Sequence, residues 1–319
     1  MTAAPVLPLP PGGVEPDICQ WLTTPDGVRL RAARWTAPGA RAHVVFNAGR
    51  TEFLEKLALP VAELVGLGLS VIAVDWRGQG LSDRLTEPDL KGHIGDFAEY
   101  QIDLDTLLAS DLAQDLPGPR VLFAHSMGGA ITARALTRLD QIGPVQATVM
   151  CAPMFGIAMT RVMRAFAWAT VRISRTFGLE ERWPPLGDPA TPYVMNGFDD
   201  NVLTGDREIW EWMADVTAAH PAVGLGMPTL GWFSAAEAEC ARLRQSVPPG
   251  HPVLCLLGSN ERVVDAAAVR HGAGLLGADL AEFSGGEHEL FLETEDIRLA
   301  VWDRIERFLE QAGVPTADG

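Results

Sequence analysis

Ala124-His125-Ser126-Met127-Gly128 sets a serine between small outer residues, directly after the apolar run Val121-Leu122-Phe123 and before a helix-forming stretch, Ala130–Leu136. A strand that turns straight into a helix brings the outer positions of such a pentapeptide into close contact, so both must be small. The serine at the corner takes strained backbone angles, and its hydroxyl stands clear of the sheet edge. The helix start beneath it favours developing negative charge, and the Met127 N–H is placed to stabilise an oxyanion. This is the chemistry of a nucleophile that attacks an acyl carbon. Ala124 adds one methyl where the G-x-S-x-G pattern has glycine, and that crowding is expected to be silent.

A serine hydroxyl is a weak nucleophile unless a base lies within hydrogen-bond reach. In a strand–elbow–helix arrangement the partners follow in the order serine, acid, histidine. His288, in Gly285-Gly286-Glu287-His288-Glu289, stands in a glycine-rich loop between the last strand pattern and the last helix pattern, a poor place for a core histidine and a suitable one for the base. His125 abuts the serine, but consecutive residues at an elbow point different ways, so a structural role is expected. His43, His93, His220, His251 and His271 show no metal-binding spacing. The acid should follow the strand Val253–Leu257. Glu261 and Asp265 are the two candidates, and Asp265 can instead cap the helix that opens at Ala266.

A second oxyanion donor should come from the loop after Ala42–Phe46, where the Ala48 N–H is the expected one. Arg50 in the same loop can pair with Glu52 or meet an anionic substrate group, and the ion pair is the expected arrangement. The turn from Asp75 to Ser82 is glycine-rich but has neither a Walker lysine nor G-x-G-x-x-G, so Asp75 and Arg77 read as scaffold.

The elements that must position these residues follow an alternating rhythm. Cys19–Thr24 and Val28–Trp35 flank a turn at Pro25-Asp26-Gly27 and read as a hairpin. Strand patterns at Ala42–Phe46, Leu69–Val74, Arg120–Phe123, Val145–Cys151, Val253–Leu257 and Leu280–Phe283 alternate with helical ones at about 55–67, 97–112, 130–136 and 295–311. Apolar strands alternating with helices predict an α/β fold with a mostly parallel central sheet flanked by helices. The rhythm breaks at 153–245, which reads as a helical cap inserted after the sixth strand. Residues 1–16 then form a Pro- and Gly-rich arm, and 17–152 with 246–313 form the core.

The 319 residues carry 25 Lys and Arg against 41 Asp and Glu, a formal charge of -16 that argues against nucleic-acid binding. The four cysteines form no CxxC pair, so neither structural zinc nor a disulfide scaffold is indicated, and acyl transfer by a serine with a histidine base needs no metal and no cofactor. With no signal-peptide pattern and no run long enough for a membrane span, a cytoplasmic location is expected.

Taken together, Gly49-Arg50-Thr51-Glu52, Asp75 to Ser82, Ala124 to Gly129, Gly258 to Asp265 and His288-Glu289 resemble the α/β-hydrolases of the monoacylglycerol lipase and lysophospholipase group, also described as serine aminopeptidase-like. The resemblance implies Ser126 as nucleophile, Glu261 as acid, His288 as base, and Ala48 with Met127 as the oxyanion hole. It departs from that group in having glutamate where aspartate is usual at 261. It also implies hydrolysis of acylglycerol or lysophospholipid-type esters through an acyl-enzyme intermediate. The same groups serve peptide or amide hydrolysis, and a non-catalytic hydrolase-like binding protein is the remaining alternative.

The cap should bind the acyl or leaving group, with Phe166, Trp210 and Trp232 as candidate contacts. Projected as a helix, 161–177 sets Arg161, Arg164, Arg172 and Arg175 on one face with Trp168, and Met163, Phe166, Ala167, Ile173 and Phe177 opposite. The arginine face suits transient contact with a lipid surface, although neutralisation by Glu180, Glu181 and Asp188 is the expected state. The apolar face is expected to line the pocket or pack on the core.

Overall fold

The computed structural model describes residues 2–185 and 190–316, so Asp188 lies outside the described residues. Strands β1 (Ile18–Thr23) and β2 (Arg29–Trp35) form the antiparallel hairpin, and Gly27 supplies the left-handed φ of 89° that its turn requires. Next come β3 (Ala42–Asn47), α1 (Ala58–Gly66) and β4 (Leu69–Val74). Pro60 falls in the first turn of α1, where its missing N–H leaves no helical bond unmade. The chain continues through α2 (Ala98–Ala109), β5 (Arg120–His125), α3 (Met127–Ala135), the single turn α4 (Leu139–Ile142) and β6 (Ala147–Cys151). After β6 run α5 (Arg161–Phe177), α6 (Arg207–Ala219) and α7 (Leu230–Leu243). The chain ends with β7 (Val253–Gly258), α8 (Ala266–Leu276), β8 (Asp279–Phe283) and α9 (Glu295–Gln311).

The strands form one eight-stranded sheet in the order β1-β2-β4-β3-β5-β6-β7-β8. β1 and β2 are antiparallel to their neighbours, and the remaining pairs are parallel. Every residue of β3, β4, β6 and β7 is buried, as a parallel sheet covered by helices on both faces requires.

Side-chain caps start the helices between β6 and β7. Thr160, Asp206 and Thr229 accept from the N–H groups of Met163, Ile209 and Trp232. Helix α5 departs from expectation. Its inward stripe is Ala167, Val171 and Ser174, and Val171 packs with Leu230 and Phe233 of α7. Positions spaced i, i+4, i+7 form so narrow a contact that the apolar face beside it stays in solvent. Met163 is 58% exposed, Phe166 51%, Ile173 59% and Phe177 71%. Among the described residues, Phe166 is not one of those that line the cavity holding Ser126. Trp210 differs in the opposite sense: it is buried in a cluster with Leu59, Met213 and Leu292 and holds α6 against the core.

Candidate active site

The parallel strands deliver their C-terminal ends to one edge of the sheet, where open α/β folds hold their ligands. At the end of β5, Ser126 adopts φ 51° and ψ −117°. Its N–H donates to the Cys151 carbonyl at 2.9 Å, and its carbonyl accepts from the N–H groups of Gly129 and Met154 at 2.9 Å each, which ties the strained corner to the end of β6. Gly128 is required by sterics, since a Cβ there would stand 1.9 Å from the Asn47 carbonyl oxygen. This contact seats α3 against the end of β3.

The loop after β8 meets the loop after β7 through backbone bonds, including Asn260 N–H to the Gly286 carbonyl at 2.9 Å. His288 Nδ1 donates to Oε2 of Glu261 at 2.7 Å. A carboxylate only accepts, so this bond places the proton on Nδ1 and leaves Nε2 free to take one. Oε1 of Glu261 accepts from the N–H groups of Val263 at 2.6 Å and Val264 at 2.9 Å, so the longer glutamate side chain folds back onto its own loop. Burial would raise the Glu261 pKa, but the His288 hydrogen bond and charge, with the two N–H groups, bring it below the ordinary value. Asp265 instead caps α8, with its carboxylate on the N–H groups of Ala267 and Ala268.

Ser126 and His288 line the same cavity of about 470 Å³, with Met127, Met154, Ile157, Leu225, Trp232 and Val264 among its apolar walls. A second cavity of about 420 Å³ holds Cys240, Asp265 and His271, but burial pushes the Cys240 thiol up to about 12, so it stays protonated and inert.

The loop after β3 is arranged differently from expectation. Ala48 is buried beneath the cavity rather than on its wall, with its carbonyl held by the Trp76 indole at 2.9 Å. Arg50 and Thr51 are the residues of this loop that reach the cavity. The N–H groups of Ala48, Arg50 and Met127 all lack a protein acceptor among the described residues, and of the three only Arg50 and Met127 belong to residues on the cavity wall.

Glu52 does not pair with Arg50. Its Oε2 accepts from the Gly49 N–H, and its Oε1 stands 3.1 Å from Nδ1 of His125, a charge contact too poorly aligned for a hydrogen bond. Burial opposes ionisation of both groups, yet their attraction prevails. Glu52 is brought down to about 2, and His125 is raised above its ordinary value. The Arg50 guanidinium turns to the Gly226 carbonyl, with Nη2 at 2.7 Å, and lies 5.3 Å over the Trp232 ring. Burial lowers it to about 10, so it remains charged at neutral pH.

The match of residues 38–295 to the family described as serine aminopeptidase, S33, decides the grouping. The chain belongs to that family of α/β-hydrolases. It is a serine hydrolase by membership. Lysophospholipase L2 of Escherichia coli strain K12 is 29% identical to it, covering 92% of this chain and 87% of that protein. A monoacylglycerol lipase of Mycolicibacterium smegmatis is 26% identical over 84% of this chain and 89% of its own length. A soluble variant of the Saccharomyces cerevisiae monoglyceride lipase, solved with a substrate analog, superposes with a TM-score of 0.72 at 17% identity, over 94% of this chain and 97% of that one.

Within this S33 fold the structure brings Ser126, Glu261, His288, Met127, Arg50 and Trp232 to one place, and leaves Ala48, Asp265, Phe166 and Trp210 outside it. Sequence reasoning missed the Glu52–His125 pair. Its two members come from the ends of different strands, and no spacing along the chain relates them.

Proposed function

We propose that the protein is a serine carboxylic ester hydrolase of acylglycerol or lysophospholipid-type esters. Ser126 attacks the ester carbonyl, and His288 Nε2 takes the hydroxyl proton and returns it to the leaving alcohol. Water then releases the acid from the acyl-enzyme by the same path in reverse. Glu261 keeps His288 in the required tautomer and balances the imidazolium charge. The N–H groups of Met127 and Arg50 stabilise the oxyanion, with Arg50 in place of Ala48.

The observation that carries this reading is the His288–Glu261 bond at 2.7 Å on the wall of the cavity that also holds the strained Ser126. The long acyl chain is favoured by the apolar walls, and by relatives named lysophospholipase and monoacylglycerol lipase. Replacement Ser126→Ala should abolish turnover of a monoacyl ester and labelling by a fluorophosphonate probe, with the circular dichroism spectrum unchanged. Retained turnover in that variant would overturn the assignment.

Helix α5 supports transient contact with a lipid surface. Its exposed Met163, Phe166, Ile173 and Phe177 lie on the face opposite Arg161, Arg172 and Arg175, which have no ion pair among the described residues, whereas Arg164 is paired with Glu237 at 2.8 Å. An apolar face opposite a face of free arginines suits an interfacial helix that meets anionic lipid. No helix among the described residues is long and apolar enough to cross a membrane.

A further inference from the structure

Arg50 is anomalous for an acidic protein. Acids outnumber bases by 41 to 25, so carboxylates are plentiful, yet this guanidinium has no carboxylate partner among the described residues. Nη2 is bonded to the Gly226 carbonyl, Nε is enclosed without an acceptor, and Nη1 likewise has no protein acceptor among the described residues. The neighbouring cation Arg84 adds to the positive field, since its own hydrogen bonds all go to backbone carbonyls. Gly92 makes room for the side chain, as a Cβ there would come within 2.4 Å of Nη2. A cation taken out of water without a counter-ion is costly unless a ligand supplies one.

The position of that charge relative to the reacting carbonyl carries the argument further. The Arg50 N–H is the proposed oxyanion donor, so its guanidinium carbon stands one arginine side chain away from the ester oxygen. In a 1-acyl glycerophospholipid, the path from carbonyl carbon to phosphorus crosses as many covalent bonds as the path from an arginine amide nitrogen to its guanidinium carbon. A substrate bound at Ser126 with its glycerol beside Arg50 therefore brings its phosphate level with the guanidinium.

We propose that the Arg50 side chain is an anion-reading subsite of the cavity, which takes the phosphate of a lysophospholipid and favours it over the uncharged monoacylglycerol of the same acyl chain. This rests on the hydrolase reading and assigns its headgroup selection to one residue. The walls around Met127, Met154 and Ile157 receive the acyl chain, and the guanidinium supplies a charge-assisted hydrogen bond that a neutral glycerol cannot match.

The test compares oleoyl-lysophosphatidylcholine with monooleoylglycerol on the full chain and on Arg50→Gln and Arg50→Lys. Because every variant keeps the backbone N–H, damage to the oxyanion hole affects both esters alike, and the ratio of the two kcat/KM values isolates the headgroup. Arg50→Gln should lower that ratio by about tenfold or more, chiefly through KM, and Arg50→Lys should restore much of it. An equal fall on both esters would overturn the proposal and make Arg50 a strut between its loop and Gly226. Wild-type turnover of monooleoylglycerol alone would overturn it while leaving the hydrolase reading intact, and turnover of neither ester would remove the hydrolase reading itself. A measurement on the wild type alone covers the case of an unfolded variant. Glycerol 3-phosphate should inhibit hydrolysis of p-nitrophenyl butyrate competitively, and glycerol should not. Equal inhibition by inorganic phosphate would identify a free-anion site and sink the headgroup assignment.

Discussion

Nε2 of His125 lies 3.2 Å from the backbone carbonyl oxygen of His288, and the two imidazole rings are 4.7 Å apart. The residue that precedes the proposed nucleophile thus holds the loop that carries the proposed base. Its other face meets Glu52, whose second oxygen takes the Gly49 N–H. One buried carboxylate–imidazole pair therefore links the elbow, the base loop and the loop of the oxyanion donor.

Removal of that tether should disturb catalysis without removing a reacting group. His125→Phe is expected to lower kcat by about ten- to a hundredfold, with KM changed little, because small misplacements of a base are costly. His125→Gln, which keeps a donor for the His288 carbonyl, should recover part of the loss. Steady-state kinetics on a soluble ester checks both, and wild-type kcat in His125→Phe would refute the positioning role.

The two candidate acids should separate cleanly. Glu261→Gln is expected to reduce kcat by about four orders of magnitude, as loss of the tautomer-controlling carboxylate does in serine triads. Asp265→Ala should leave kcat near wild type and cost ~1 kcal/mol of stability through its lost helix cap, read from urea unfolding. Inversion of these two results would reassign the acid.

Stability of the Glu52–His125 pair should depend on pH in a defined window. Glu52 sits at about 2 against an ordinary 4.5, so its contribution is complete above about 4.5 and is lost as pH falls toward 2. His125 is raised above its ordinary 6.5, so its contribution is complete below that value and is lost as pH climbs through the raised one. The difference in melting temperature between wild type and Glu52→Gln should therefore be largest between these limits and shrink on both sides. A difference that is flat from pH 3 to 9 would contradict the pairing.

Contact of α5 with lipid should be separable from chemistry. The double variants Phe166→Ser/Phe177→Ser and Arg172→Glu/Arg175→Glu are expected to weaken sedimentation with phosphatidylglycerol vesicles, the second more strongly at low salt. Turnover of p-nitrophenyl butyrate in solution should be unaffected in both. Wild-type vesicle binding by both variants would exclude this face.

Much of the architecture was legible because it depends on local pattern. The fully apolar run Val253–Leu257 and the largely apolar Leu69–Val74 read as interior parallel strands, and a serine between a strand and a helix with glycine two residues on has to be a tight corner. The order of Ser126, Glu261 and His288 followed from topology once the strands were counted. Helix α5 was legible as a helix but not in its burial, because amphipathic spacing gives two faces and does not say how wide a contact a neighbour offers. Trp210 and Trp232 look alike along the chain, and only packing sends one to the α6 cluster and the other to the cavity wall.

What the sequence determined by itself was the set of candidate reacting groups and the sheet edge at which they are expected to meet, since hydrophobic periodicity and glycine placement act over a few residues and need no partner. What only the tertiary structure decided was partnership between distant side chains: Glu52 with His125 rather than Arg50, Arg50 rather than Ala48 at the cavity, and a guanidinium with no acid beside it among the described residues. Those choices are made by distances of a few ångströms across strands far apart in the chain. The cost of burying each charge is set there by whichever neighbours the completed fold brings within reach.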